Sequence, residues 1–111
     1  MFDMFKMLGK MNEVQDKMKE AKAKLEEVVL HETEMDVVTV DINANKKILG
    51  ISTSEAFYEK YTIEERQDIL VEVINNAFAL AENYSKEYMA KEMSGVIPNI
   101  PGFDLGSMMG G

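Results

Sequence analysis

Apolar residues recur early in the chain at Met4, Met7, Met11, Val14, Met18, Ala21, Leu25 and Val28, with spacings that alternate between three and four. That alternation is a heptad seam. Gln, Lys, Glu and Ala dominate Glu13 to Glu27, so the pattern predicts a helix over residues 3–27. The period then drops to two, with Val38, Val40 and Ile42 on one face and Val37, Thr39 and Asp41 on the other, which predicts a strand. Flanking strands are predicted at Val28–Thr33 and at Lys46–Ser52, where Lys47, Leu49 and Ile51 alternate with Ile48 and Gly50. The connections Glu34-Met35-Asp36 and Asn43-Ala44-Asn45 are short enough for hairpins, and Asn tolerates the positive φ such turns need. The three strands are therefore expected to be antiparallel.

Residues Thr53 to Tyr61 read as a connector with one helical turn near Ser54–Tyr58. Thr62-Ile63-Glu64-Glu65 then carries a capping-box pattern, in which a Thr hydroxyl and a Glu carboxylate three residues on satisfy each other's amides. A second long helix starts there. Ile69, Leu70, Val73, Ile74, Ala77, Phe78, Ala81, Tyr84 and Tyr88 form a broad apolar face at helical period, and the helix is expected to run to Ser94 with Gly95 as its stop. Residues 1–94 are thus read as a single domain. Gly95 to Gly111 holds five Gly and both prolines, Pro98 and Pro101, and is expected to be a mobile tail. The fold class is α+β, in the order α-β-β-β-α.

These elements differ in length in a way that bears on assembly. Six-residue strands span about 20 Å, whereas the two helices would extend roughly 37 and 48 Å, so each overhangs the sheet. An overhanging seam of Met, Val and Leu exposed to water marks an interface. The economical arrangement is a two-fold homodimer that joins its sheets and buries the overhangs. Met4, Met7, Met11, Val14, Met18, Val38, Val40, Ile42, Val73 and Ala77 are the residues assigned to dimer and arm packing.

Composition narrows the chemistry. At 111 residues there is room for one core, and zero Cys with a single His31 excludes thiol nucleophiles, thiolate metal sites and multi-histidine cages. Glu65, Asp68 and Glu72 share a helix face, but a hard cation needs six or more oxygens from a folded loop, and a solvated face accounts for them. His31 has no Ser or Cys partner, and the four tyrosines are read as packing aromatics. No enzyme activity, metal, cofactor or small-molecule substrate is expected. No apolar run approaches the roughly 20 residues that span a bilayer, and no signal peptide is visible, which points to the cytoplasm. Phe2, Met4, Phe5, Met7, Leu8 and Met11 with Lys6 and Lys10 resemble a short amphipathic membrane anchor, but Asp3 and the continuation of the seam to Val28 favour packing within the protein.

The net charge is −8, which opposes any long-range attraction to phosphate, so a polyanion site has to be local. Residues 1–24 hold six Lys against four acidic residues, +2, while residues 25–111 carry −10. Lys6, Lys10, Lys17 and Lys24 fall within about 40° of one another around a helix. Such a row can follow phosphates by counterion release, without base reading. A solvated face accounts for it as well, since Glu13–Lys17 and Glu20–Lys24 are favourable i,i+4 pairs.

Several segments resemble the YbaB/EbfC nucleoid-associated proteins. They are the Met- and Lys-rich Lys10-Met11-Asn12-Glu13-Val14-Gln15-Asp16-Lys17-Met18-Lys19-Glu20-Ala21, then Asp41-Ile42-Asn43 leading to Lys46-Lys47-Ile48-Leu49-Gly50-Ile51, then Val73-Ile74-Asn75-Asn76-Ala77, and Ile100-Pro101-Gly102-Phe103. They occur in the family's order along nearly the whole chain. The resemblance implies a tweezer-like homodimer with joined sheets that binds duplex DNA through its helical arms with little sequence preference, at the nucleoid. On that basis Lys6, Lys10, Lys17 and Lys24, together with Lys86 and Lys91 near the end of the last helix, are the expected DNA contacts. The alternative is a non-enzymatic interaction module whose Met-rich groove receives a partner helix.

Overall fold

The computed structural model describes residues 4–94, the side chains of Met4, Phe5 and Lys6 excepted; the predicted tail at 95–111 lies outside these described residues. The element order is α1 (Met4–Glu27), β1 (Val29–Glu34), β2 (Val38–Asn43), β3 (Ile48–Thr53), α2 (Glu55–Lys60) and α3 (Ile63–Met93). The strands form one antiparallel sheet in the order β1-β2-β3. This is the expected α-β-β-β-α architecture. Both long helices end where their sequence signals place them. Thr62 caps α3 by accepting from the Glu65 amide at 3.2 Å while the Glu65 carboxylate accepts from the Thr62 amide at 2.9 Å. A cap of this kind contributes about 1 kcal/mol.

The core lies between one face of the sheet and the first half of α3. Val38, Val40 and Ile42 of the central strand meet Ile69, Val73, Ala77 and Ala81, with Phe57 of α2 closing one side. The small Ala77 and Ala81 let the helix approach the sheet closely, and every one of these positions is buried. Val38, Val40, Ile42, Val73 and Ala77, which the sequence assigned to dimer and arm packing, are therefore consumed in the chain's own core. Val40, Ile42, Val73 and Ala77 are 0% exposed, which leaves them no surface for a second chain.

Two details of the sheet depart from simple alternation. Val37 does not face away from the core: it closes a tight turn, its amide donating to the Glu34 carbonyl at 3.1 Å, and is buried with Val38. Lys47, Leu49 and Ile51 do not share a face either. A bulge between Asp41 and Ile42 pairs Ile42 with Ile48 and Asp41 with Gly50, so Leu49 is the extra residue, while Ile51 stands opposite Val40 on the core side. The opposite face of the sheet is polar, with His31 against Asp41 and the Thr33 and Thr39 hydroxyls 2.9 Å apart.

Positive φ falls on Met35, Asp36 and Lys46 rather than on an asparagine. Met35 and Asp36 are the two central residues of a hairpin turn that requires it at both. In the second hairpin Asn43 serves as an acceptor instead. Its side-chain oxygen takes the amides of Asn45 at 2.9 Å and Lys47 at 3.0 Å, and Asn45 donates to the Lys22 carbonyl at 2.9 Å, tying the turn to α1. The Ala44 amide adds a link to the carbonyls of Leu25 and Val28.

Candidate nucleic-acid interface

α1 leaves the sheet as a helix of 24 residues, about 36 Å long, and the second half of α3 runs beside it. Between them lies a separate cluster of Ala21, Leu25, Ala44, Met89 and Met93, with Val14, Met18 and Tyr88 packed on its margin. This pair of helices is an arm. The buried stripe of α3 continues through Ser85, Met89 and Met93, not through the expected Tyr84 and Tyr88. Tyr84 is 38% exposed and lies against Tyr88, with ring centroids 6.5 Å apart and planes 10° from parallel.

The lysine row is carried on this arm. Lys10 and Lys24 are exposed and Lys17 is half-buried, while the Lys6 side chain lies outside the described residues. The anticipated Glu13–Lys17 and Glu20–Lys24 pairs do not close. Among the described residues the Lys or Arg side chain that meets a carboxylate is Lys86, 3.3 Å from Glu82, while His31 hydrogen-bonds to Asp41. Lys10, Lys17 and Lys24 are thus left to solvent counterions, the condition for exchanging them against phosphates. Lys19 and Lys22 add exposed positive charge on the same helix. Lys86 and Lys91 sit on the neighbouring helix of the arm and are exposed, but Lys86 is held by Glu82, and Lys91 borders a shallow groove with Tyr84, Glu87 and Tyr88. The two lysines of α3 are therefore more closely accompanied by carboxylates than those of α1.

The remaining candidates occupy different parts of the molecule. Arg66 is tied down structurally, donating to the carbonyls of Tyr61 at 3.1 Å and Tyr58 at 3.2 Å with its guanidinium over the Tyr58 ring. Of the seam residues, Val14 and Met18 are half-buried against α3, whereas Met7 and Met11 are 51% and 55% exposed; the Met4 side chain lies outside the described residues. The described residues contain no group of three or more His, Cys, Asp or Glu placed to hold a metal, and no helix long and apolar enough to cross a membrane.

A small sheet backed by one long helix, with a lysine-bearing helical arm projecting beyond it, defines an α+β arm protein. The profile of the YbaB/EbfC DNA-binding family matches residues 1–96, and the chain belongs to that family. It is similar to a nucleoid-associated protein of Flavobacterium johnsoniae, 28% identical over 103 residues that cover 92% of this chain and 95% of that one. The fold also matches the crystal structure of an uncharacterized protein from Helicobacter pylori. The TM-score is 0.73 at 17% identity, covering 86% of this chain and all of the other.

Proposed function

We propose that the protein is a homodimeric nucleoid-associated protein of the cytoplasm that binds duplex DNA through phosphate contacts from α1, with little sequence preference. The observation that carries this reading is the row Lys10, Lys17 and Lys24, without a carboxylate partner among the described residues, on a helix that projects from an otherwise acidic molecule. Lysine offers a point charge and not the bidentate fork that reads guanine, so phosphate contact is the chemistry the row suits. Membership of a DNA-binding family and the name of the Flavobacterium relative support the same ligand. Lys86 and Lys91 are secondary contacts on the same arm.

A second chain is supported by apolar side chains that this fold leaves uncovered. Leu49 and Ile51 on the outer strand β3, and Val71 and Phe78 on α3, are among them. Among the described residues β1 and β3 both have unpaired outer edges, which a joined sheet would satisfy.

Titration of a fluorescent duplex at about 30 and 150 mM salt tests the DNA reading. With about four phosphates neutralised, log K is expected to fall with log salt at a slope near −3.6. The combined variant Lys10→Glu, Lys17→Glu, Lys24→Glu is expected to remain folded and lose the binding. Wild-type binding that is indifferent to salt would instead favour an apolar groove that receives a partner helix.

A further inference from the structure

α3 ends at Met93, opposite the middle of α1, but the apolar seam of α1 does not end there. Val14 and Met18 are covered by the last turns of α3, whereas Met7 and Met11, each one heptad step further out along the same seam, are more than half exposed. Leu8 beside them is 54% exposed. Among the described residues the helix therefore presents an apolar stretch without a partner, beginning where its neighbour stops.

The chain that follows α3 starts at that point and is suited to cover it. From Ser94 it continues as Gly95-Val96-Ile97-Pro98-Asn99-Ile100-Pro101-Gly102-Phe103. Pro98 and Pro101 favour an extended polyproline II conformation, which repeats every three residues at 3.1 Å each. At that period Ile97, Ile100 and Phe103 share one face. The nine residues that follow Ser94, up to Phe103, would reach about 28 Å, against about 10 Å of helix between Val14 and Met7. Asp104 is the one charged residue from 95 to 111, so the segment suits an apolar seam better than the lysine row.

We propose that the segment Val96–Phe103 docks onto the seam of α1 at Met7 and Met11 in the same chain, extending the arm beyond the end of α3. The segment replaces the missing helix with an apolar strap. Lys10, Lys17 and Lys24 lie about 80° around α1 from the seam, so the strap leaves them open. The proposal is independent of the DNA reading, and its failure leaves that reading untouched.

The chain has no cysteine, which allows a direct test in the full-length protein. A double variant Met11→Cys, Ile100→Cys is oxidised at low micromolar concentration and compared on non-reducing gels with Glu13→Cys, Ile100→Cys, whose helix position faces away from the seam. Docking predicts an intrachain disulfide forming at least tenfold faster in the first pair. Equal rates would overturn it, and so would a disulfide formed only between chains, which would assign the seam to a second copy. A second measurement avoids cysteine. In the variant Ile97→Ser, Ile100→Ser, Phe103→Ser, the ε-methyl resonances of Met7 and Met11 should move and both residues should be oxidised by peroxide severalfold faster. Unchanged shifts and rates would overturn the docking.

Discussion

One helix serves two regions built on different principles. Over the sheet, α3 buries Ile69, Val73, Ala77 and Ala81 chiefly against β1 and β2, in a three-stranded sheet whose backbone hydrogen bonds already hold Val38, Val40 and Ile42 in place. In the arm it buries Ser85, Met89 and Met93, the two methionines in a cluster with Ala21 and Leu25 of α1 and Ala44 of the β2–β3 turn. The same four-residue stripe is a core in one half and a two-helix seam in the other. Branched residues with few rotamers define the first, while unbranched methionine, which adapts to irregular gaps, dominates the second. The lysines proposed to contact phosphate belong to the second. The molecule thus keeps its sheet core in one half and carries the α1 lysines on the other.

That contrast is broken most severely at Ile42, which is fully buried between β1, β3 and α3. Ile42→Ala should destabilise the whole fold by about 2–5 kcal/mol, lowering the urea midpoint for sheet and helix signals together. Met89→Ala removes a side chain of similar burial from the arm, and about 2 kcal/mol is expected there. The loss should be local. Amide exchange should accelerate in residues 14–25 and 85–93, while β2 keeps its protection, because the sheet does not depend on the arm seam. Equal acceleration in β2 would show that the two halves unfold as one.

How far the sequence revealed each half follows from where the information resides. Helix ends were legible because capping is local: Thr62 and Glu65 sit three residues apart whatever surrounds them. That Lys10, Lys17 and Lys24 share one face of α1 was legible for the same reason, since offsets of seven determine it. The path of α3 was not. A stripe at every fourth residue drifts about 40° around the helix per step, and here it follows the change of neighbour from sheet to α1. An ideal 3.6-residue face therefore selected Tyr84 and Tyr88, where the structure buries Ser85 and Met89. Nor could spacing tell that Glu82–Lys86 closes while Glu13–Lys17 and Glu20–Lys24 stay open. The bulge at Leu49 was hidden too, because it is a property of the pairing and not of the strand.

The smallest effect sharpens the comparison further. Met35 and Asp36 hold φ of 53° and 59°, a region that costs most side chains about 1 kcal/mol or more and that Gly enters freely. The turn persists because the register on either side over-determines it, with Glu34 opposite Val38, Thr33 bonded to Thr39, and Val37 anchored in the core. Asp36→Gly should relieve part of that strain, offset by the greater freedom glycine has in the unfolded chain, for a net gain of about 0.5 kcal/mol. The two halves should share this gain unequally. Because the turn belongs to the sheet, the urea midpoint should rise, while exchange that proceeds by local opening of residues 14–25 should keep its rate. A rate that slowed in step with the global gain would mean that the arm opens only when the sheet does.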